Sequence, residues 1–406
     1  MPIDLSALPA EVACGDDGPS AVIWLVLFIV VMGAGAGLTL WCWPAGKSVH
    51  EGVFWAWLFG VPGLCYGVMF SLRYGLFQYA QMKTHIRNEV RDEGLRVAIR
   101  HAQQPLSLLE IAYVTALGGD RVAERIVDGE SVLESTYVDA VNAHVRHSIL
   151  IESEDEAGHV ASEFARKPAA IRSESVYQML LERMTDALRD LPARLHLDVY
   201  LVADGRSIDP AEALVGWKRI WVEMGLRGEN VEHTTADYGV MEVDRWLDNG
   251  GKTARAILVV AAQLYDVPPS DSTEAGVALL FVTQCAGRRA GWVGNTALHR
   301  PVEGTLSDMG GVLASAMQWG RGSADEAGSL WQSGVDSATG AAILAAWTNA
   351  GRNAGEIQEV DASLGHAGIA ADWLGIALAS EHAHQTGRPQ MVASQQRDLV
   401  RMTMIK

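Results

Sequence analysis

The chain has 406 residues, 49% of them apolar, and a formal net charge of -17. That length holds two average domains or one large one, and the charge weighs against a nucleic-acid backbone or an anionic bilayer surface as partner. The four cysteines, Cys14, Cys42, Cys65 and Cys285, have neither zinc-site nor redox-motif spacing, which suits a reducing compartment.

Residues 1–20 are small, polar and acidic and read as a mobile tail. They contain no Lys or Arg, so the basic start of a cleavable signal peptide is missing. Two apolar runs follow, 21–43 and 52–72, neither with a charged side chain apart from the break between them. A helix needs about 20 apolar residues to cross the hydrocarbon core, and each run meets that. The pattern predicts a transmembrane helical hairpin over 21–79, with the lipid bilayer as its partner. Trp24, Trp41, Trp43, Trp55 and Trp57 serve as interface anchors. Gly33, Gly35 and Gly37 in the first span and Gly60, Gly63 and Gly67 in the second are expected to pack the two helices together. Arg73, Lys83, Arg87, Arg91, Arg96 and Arg100 follow the second run, against Lys47 alone in the turn. The positive-inside rule then gives a two-span inner-membrane protein with both termini and the remaining chain in the cytoplasm.

From 78 to 101 the pattern becomes amphipathic and charged, a helix leaving the membrane. A small α/β segment is expected to follow: a strand at 112–116, a turn at Gly118-Gly119-Asp120, then 121–127 and 138–151 as helix or strand. An acidic loop at 152–156 and a helix at 173–191 ended by Pro192 complete it. Clear alternation starts at Arg194. Strands are expected at 195–202, 256–262, 275–284, 292–294 and 400–405, with short extended pieces at 329–332 and 358–360. Helices are expected at 209–223, 240–248, 311–319, 338–350 and 368–384. Asp209-Pro210 is a helix start, with Asp as N-cap and Pro in the first turn. Such alternation argues for a layered α/β fold. No internal repeat is visible. The organisation expected is therefore 1–20 tail, 21–79 hairpin, 80–193 helical linker with a small α/β segment, and 194–406 α/β domain.

Chemistry is sparse. The chain has no phosphate loop, nucleophile elbow, zinc-protease helix or dinucleotide fingerprint. Gly251-Lys252-Thr253 precedes a strand, with Trp246 where a phosphate loop begins with glycine, and reads as a turn. His144 and His147, and His382 and His384, lack further ligands, so no metal and no cofactor are expected. His366 stands out. It lies between Gly365 and Gly368 just before an apolar helix, where glycines permit close approach and a helix start offers free N–H donors.

The stretch 359–379, with Leu364-Gly365-His366-Ala367-Gly368 inside it, resembles the Gly-His loop and following helix of β-ketoacyl synthases, members of the thiolase-like fold. Residues 256–262 and 272–281 resemble the strands that cross the middle of that fold, and 334–340 lies where the family carries its first active-site histidine. The resemblance covers roughly 194–406 and implies a degenerate thiolase-like layered α/β region and a homodimer. The departures concern the catalytic residues. The family has a cysteine nucleophile at the start of a central helix, whereas 233–239 holds none, and Cys285 follows a strand instead. The first histidine is absent from 334–340, and Asp361 stands where the family has lysine. His366 alone remains. Without a thiolate, covalent acyl transfer has no nucleophile. The expectation is a non-catalytic, membrane-anchored scaffold or adaptor binding a protein partner, such as an accessory to an envelope or secretion machine. The alternative is an acyltransferase, hydrolase or acyl-chain-binding module with a pocket near His366, using Asp361 or Asp336 as base and orienter.

Overall fold

The computed structural model describes residues 9–13, 18–44, 46–138, 141–150, 167–203, 208–226, 230–234, 238–250, 254–283, 296–323 and 326–406. Contacts separate Asp4–Ala98 from Ile99–Lys406. In the first unit, both uncharged runs are helical. α1 is Ala21–Cys42 and α2 is Gly52–Ala102, with a π-helical turn at Ala56–Gly60. Both are long and apolar enough to be candidate membrane spans. The helix expected at 78–101 is the continuation of α2, because no proline interrupts the chain after Pro62 until Pro105.

The hairpin is held by aromatic edges rather than by a glycine seam. Trp24 meets Tyr66 and Phe70 edge-on, and Tyr66 Oη donates to the Trp24 carbonyl (3.2 Å). Of the six hairpin glycines, only Gly35 touches the other helix, where a Cβ would strike Pro62. Gly33, Gly37, Gly60, Gly63 and Gly67 face open space, contrary to the expected packing. Part of the tail is also pinned. Asn88 donates to the Val12 carbonyl (2.9 Å) and accepts from its N–H (3.2 Å), and Arg91 Nε donates to the Pro9 carbonyl (2.8 Å).

The second unit is built on an 11-stranded sheet. Its strands are β1 Leu106–Thr115, β4 His196–Val202, β5 Asn230–Thr234, β6 Arg255–Gln263, β8 Ala275–Val282, β9 Thr296–Leu298, β10 Val302–Thr305, β11 Leu330–Ser333, β12 Ile357–Glu359, β13 Gln390–Gln396 and β14 Leu399–Ile405. A small sheet holds β2 Glu134–Val138, β3 Ala143–Ser148 and β7 Ser272–Thr273. The helices are α3 Val122–Val127, α4 Ala169–Asp190, α5 Pro210–Glu223, α6 Glu242–Gly250, α7 Met309–Trp319, α8 Ser337–Asn349, α9 Val360–Ser363 and α10 Ala371–Thr386.

The large sheet runs β12-β11-β13-β14-β9-β1-β8-β6-β4-β5, with β10 on β14. Read outward from the β1–β9 junction, the two sides share one pattern. In each, a first strand pairs antiparallel with a fifth (β1 with β8, β9 with β14), the fifth pairs antiparallel with a fourth (β6, β13), and the fourth runs parallel to a second (β4, β11). The second is parallel to a third at the edge (β5, β12). The fold is therefore an internal duplication with α6 and α10 as equivalent helices, each preceding a fourth strand. The sequence shows no repeat because backbone pairing repeats while side chains do not.

The central strands are buried on both faces, which explains their unbroken apolar runs. Ile257, Val259 and Ala261 face one core cluster, shared with α3, α6 and α10, whereas Ala256, Leu258, Val260 and Ala262 face a second, shared with α4 and α5. Most expected elements are present within a few residues, and Asp209 caps α5 by accepting from the Ala211 N–H (3.0 Å).

The limits of several expected elements shift in the structure. The strand expected at 112–116 spans Leu106–Thr115 and lies at the middle of the large sheet, so no boundary falls between 193 and 194. The 138–151 stretch, expected as helix or strand, holds the strand β3 at Ala143–Ser148. β13 was not anticipated, because its Gln390, Ser394, Gln395 and Gln396 hide the strand pattern. Gln390 is fully buried and matched: Oε1 accepts from Ser329 N–H and Trp331 Nε1, and Nε2 donates to the Arg388 carbonyl. The expected loop at 152–156, turn at 251–253 and strand at 292–294 lie outside the described residues.

One buried ion pair ties α4 to the strand pair β7–β8. Arg172 and Glu274, 2% and 4% exposed, meet at 2.6 Å, and the Tyr265 N–H donates to the same carboxylate (3.0 Å). Removing one partner of such a pair leaves an uncompensated buried charge, so Glu274→Ala is expected to lower the unfolding free energy by about 3–5 kcal/mol. Chemical denaturation of the detergent-solubilised chain measures this, and a loss within experimental error would contradict it.

Candidate functional site

The two equivalent helices meet at the start of α6. A 3-10 turn, Gly239–Met241, leads into it. The Val240 N–H donates to Asp372 Oδ2 (2.9 Å), a carboxylate from the first turn of α10. Arg401 of β14 stands behind, 3.7 Å from Asp372 and 2.9 Å from Glu303. A helix start is a natural anion site, and here one of its N–H groups is taken by an acid of the same chain. Gly239 has φ +45°, and a Cβ there would fall on the Asp372 carboxylate, so the close approach needs glycine. No cysteine stands between Cys65 and Cys285, and Cys285 lies outside the described residues.

The His366 loop is fixed by its backbone. The His366 N–H donates to the Asp271 carbonyl (2.8 Å), and its own carbonyl accepts from the Thr273 N–H (3.1 Å). Gly365, at φ +101°, is required because a Cβ would press on the Ser272 carbonyl at 2.6 Å. The exposed His366 ring accepts the Gly368 N–H at Nδ1 (2.8 Å). Its neutral form therefore carries the proton on Nε2, the atom that faces Gly334.

Asp361 sits between the two loops. Oδ1 accepts from Ser333 Oγ (3.0 Å) and Oδ2 from the Gly334 N–H (2.8 Å). Burial pushes its carboxyl above the usual range, while the His366 charge and those two donors pull it back. Ser333 is buried and donates to Asp361, an arrangement that does not make it a nucleophile toward His366. Asp336 is the N-cap of α8. It accepts from the Thr339 N–H (2.8 Å) and Gln395 Nε2 (2.8 Å), which hold its carboxyl below the ordinary value.

A cleft of about 620 Å³ opens between α8 and the β12–α9 segment and is lined by both Asp336 and Asp361. His366 is not among its lining residues. The structure thus brings Asp361 into the field of His366 and onto one cleft with Asp336, but does not bring all three candidates together. Asp372, Arg401, Glu359 and Gln332 were missed. An acid in a helix's first turn reads as that helix's own, so Asp372 gave no sign of reaching another helix. Among the described residues no group of three or more His, Cys, Asp or Glu is placed to hold a metal.

No family model and no curated protein matches the sequence. Solved structures do match the fold. The ishigamide ketosynthase/chain length factor superposes with a TM-score of 0.51 at 15% identity, over 74% of this chain and 99% of that one. Ketosynthase twelve of the bacillaene polyketide synthase in Bacillus amyloliquefaciens gives 0.51 at 10%, over 75% and 73%. The ketosynthase from module 6 of the Bacillus subtilis bacillaene synthase gives 0.51 at 12%, over 74% and 70%. The second unit therefore has the thiolase-like fold, and at these identities the likeness extends to the fold alone.

The Gly239–Asp372 contact is testable by a double-mutant cycle. Gly239→Ala is expected to cost roughly 1–2 kcal/mol for the left-handed backbone plus the displacement of Asp372, and only the backbone part in an Asp372→Ala background. Equal losses in both backgrounds would show that the carboxylate does not press on residue 239.

Proposed function

We propose that this protein is a membrane-tethered, non-catalytic member of the thiolase-like fold that acts as a scaffold or adaptor for a protein partner. The observation that carries the reading is the start of α6. It has no thiol, and the Val240 N–H that could face a substrate oxygen is bound by Asp372. Acyl transfer through a covalent intermediate needs a nucleophile and free donors for the developing oxyanion, and both are compromised there. α1 and α2 supply the tether as candidate spans, and the bases from Arg73 to Arg100 favour a cytoplasmic domain with both termini on that side.

The second reading, an acyltransferase or hydrolase, rests on the proximity of Asp361 to His366. Against it, His366 Nδ1 is occupied by the Gly368 N–H, so Asp361 does not orient the ring as a base–orienter pair would.

Two experiments test the proposal. A C-terminal alkaline phosphatase fusion is expected to be inactive and a C-terminal fluorescent protein bright; the reverse pattern would overturn the orientation. Intact-mass measurement after incubation with acyl donors is expected to show no adduct on Cys285, and His366→Ala should lower stability by about 1–2 kcal/mol without selective loss of function in the folded fraction. An acyl–enzyme adduct, or a fully stable His366→Ala chain that has lost all activity, would favour the enzyme.

A further inference from the structure

We propose that the cleft beside α8 is a binding site for an organic alkylammonium cation, a ligand class independent of the adaptor reading. Three observations converge. First, its volume of about 620 Å³ falls in the range of roughly 300–1,000 Å³ usual for small-molecule sites. Second, its lining includes the acids Asp336, Glu359 and Asp361 and no Lys, Arg or His. Asp336 and Asp361 are each held in place by two hydrogen bonds from their own surroundings, so both carboxylates are oriented before any ligand arrives. Third, Gln332 lines the same cleft, is only 8% exposed, and its Oε1 meets no donor. A buried amide oxygen left unpaired is destabilising, and a ligand N–H would satisfy it. That oxygen points toward Gly340, on the cleft wall, where a Cβ would stand 4.0 Å away.

The remaining wall decides between a metal and an organic cation. The carboxylates do not gather into a metal-ligand group, and Val335, Leu344 and Ile357 also line the cleft. A hard cation takes oxygen ligands on all sides. An alkylammonium instead places its three N–H donors on Asp361 and Gln332 and lays its methylene stem along the apolar residues. The charge of -17 raises the local concentration of any cation near the protein, so the test must separate this cleft from general attraction.

Isothermal titration of the full chain in a non-ionic detergent, at 150 mM salt where long-range attraction is largely screened over about 8 Å, with cadaverine and spermidine as probes, makes the test. One saturable site is expected for at least one probe, none for glutarate, which has cadaverine's length and the opposite charge. Asp361→Asn and Gln332→Leu are each expected to weaken binding at least tenfold. Gly340→Leu puts bulk into the cleft from a position with open space for a Cβ, and is expected to abolish binding while thermal unfolding stays unchanged. This variant keeps the test valid if Asp361→Asn destabilises the fold. Absence of binding by both amines would overturn the proposal. So would binding that persists in a folded Gly340→Leu chain, or that falls as much with the remote Asp120→Asn as with Asp361→Asn.

Discussion

Everything in the second unit depends on β1. It pairs antiparallel with β8 from Ser107 to Thr115 and with β9 through Leu106, Ser107 and Leu108, and so joins the two halves into one sheet. Because each half buries one helix against the same core, the halves are not free to separate. Trp246 of α6 stacks on Trp373 of α10 at 6.0 Å, and buried Arg300, beside β9, pairs with Asp244 of α6. The Asp372–Val240 bond continues this logic: an acid from the second half closes the helix start of the first.

Such closure has a chemical consequence. A helix start is where negative charge can be stabilised at little reorganisation cost. Here the Asp372 carboxylate already supplies negative charge, with Arg401, which also pairs with Glu303, 3.7 Å away. One N–H at this helix start is thus satisfied internally, a contact that favours the dipole. A substrate oxyanion arriving there would have to displace a carboxylate from its N–H donor and its guanidinium neighbour.

How much was legible depended on whether a residue's job was local. Asp209-Pro210 announced α5 because capping is settled within one turn. The apolar runs of β6 and β8 were legible because burial on both faces removes alternation. Gly365 and Gly368 drew notice to the His366 loop, and the structure shows why: their missing Cβ atoms leave room for Ser272 and Gln263. Long-range matters stayed hidden. Gln390 and Ser394 make β13 look like a loop, since their partners are distant in sequence. The duplication left no trace because pairing is a property of backbone. Asp372 looked like an ordinary first-turn acid and reaches across to a residue 132 positions away.

Asp361 shows how a substituted residue changes what a site offers. The resemblance implies a lysine at its position. Aspartate has the opposite sign; burial raises its carboxyl above the ordinary value, and the Gly334 N–H and Ser333 Oγ–H offset part of that rise. With Asp336 and Glu359 on the same cleft and no base among the residues that line it, the local field favours positive ligands by Coulomb attraction that grows as solvent is excluded. The middle of the fold is closed by Asp372 while its flank remains open and acidic. On physical grounds a cationic ligand is better matched to that flank, between α8 and β12, than to the helix start.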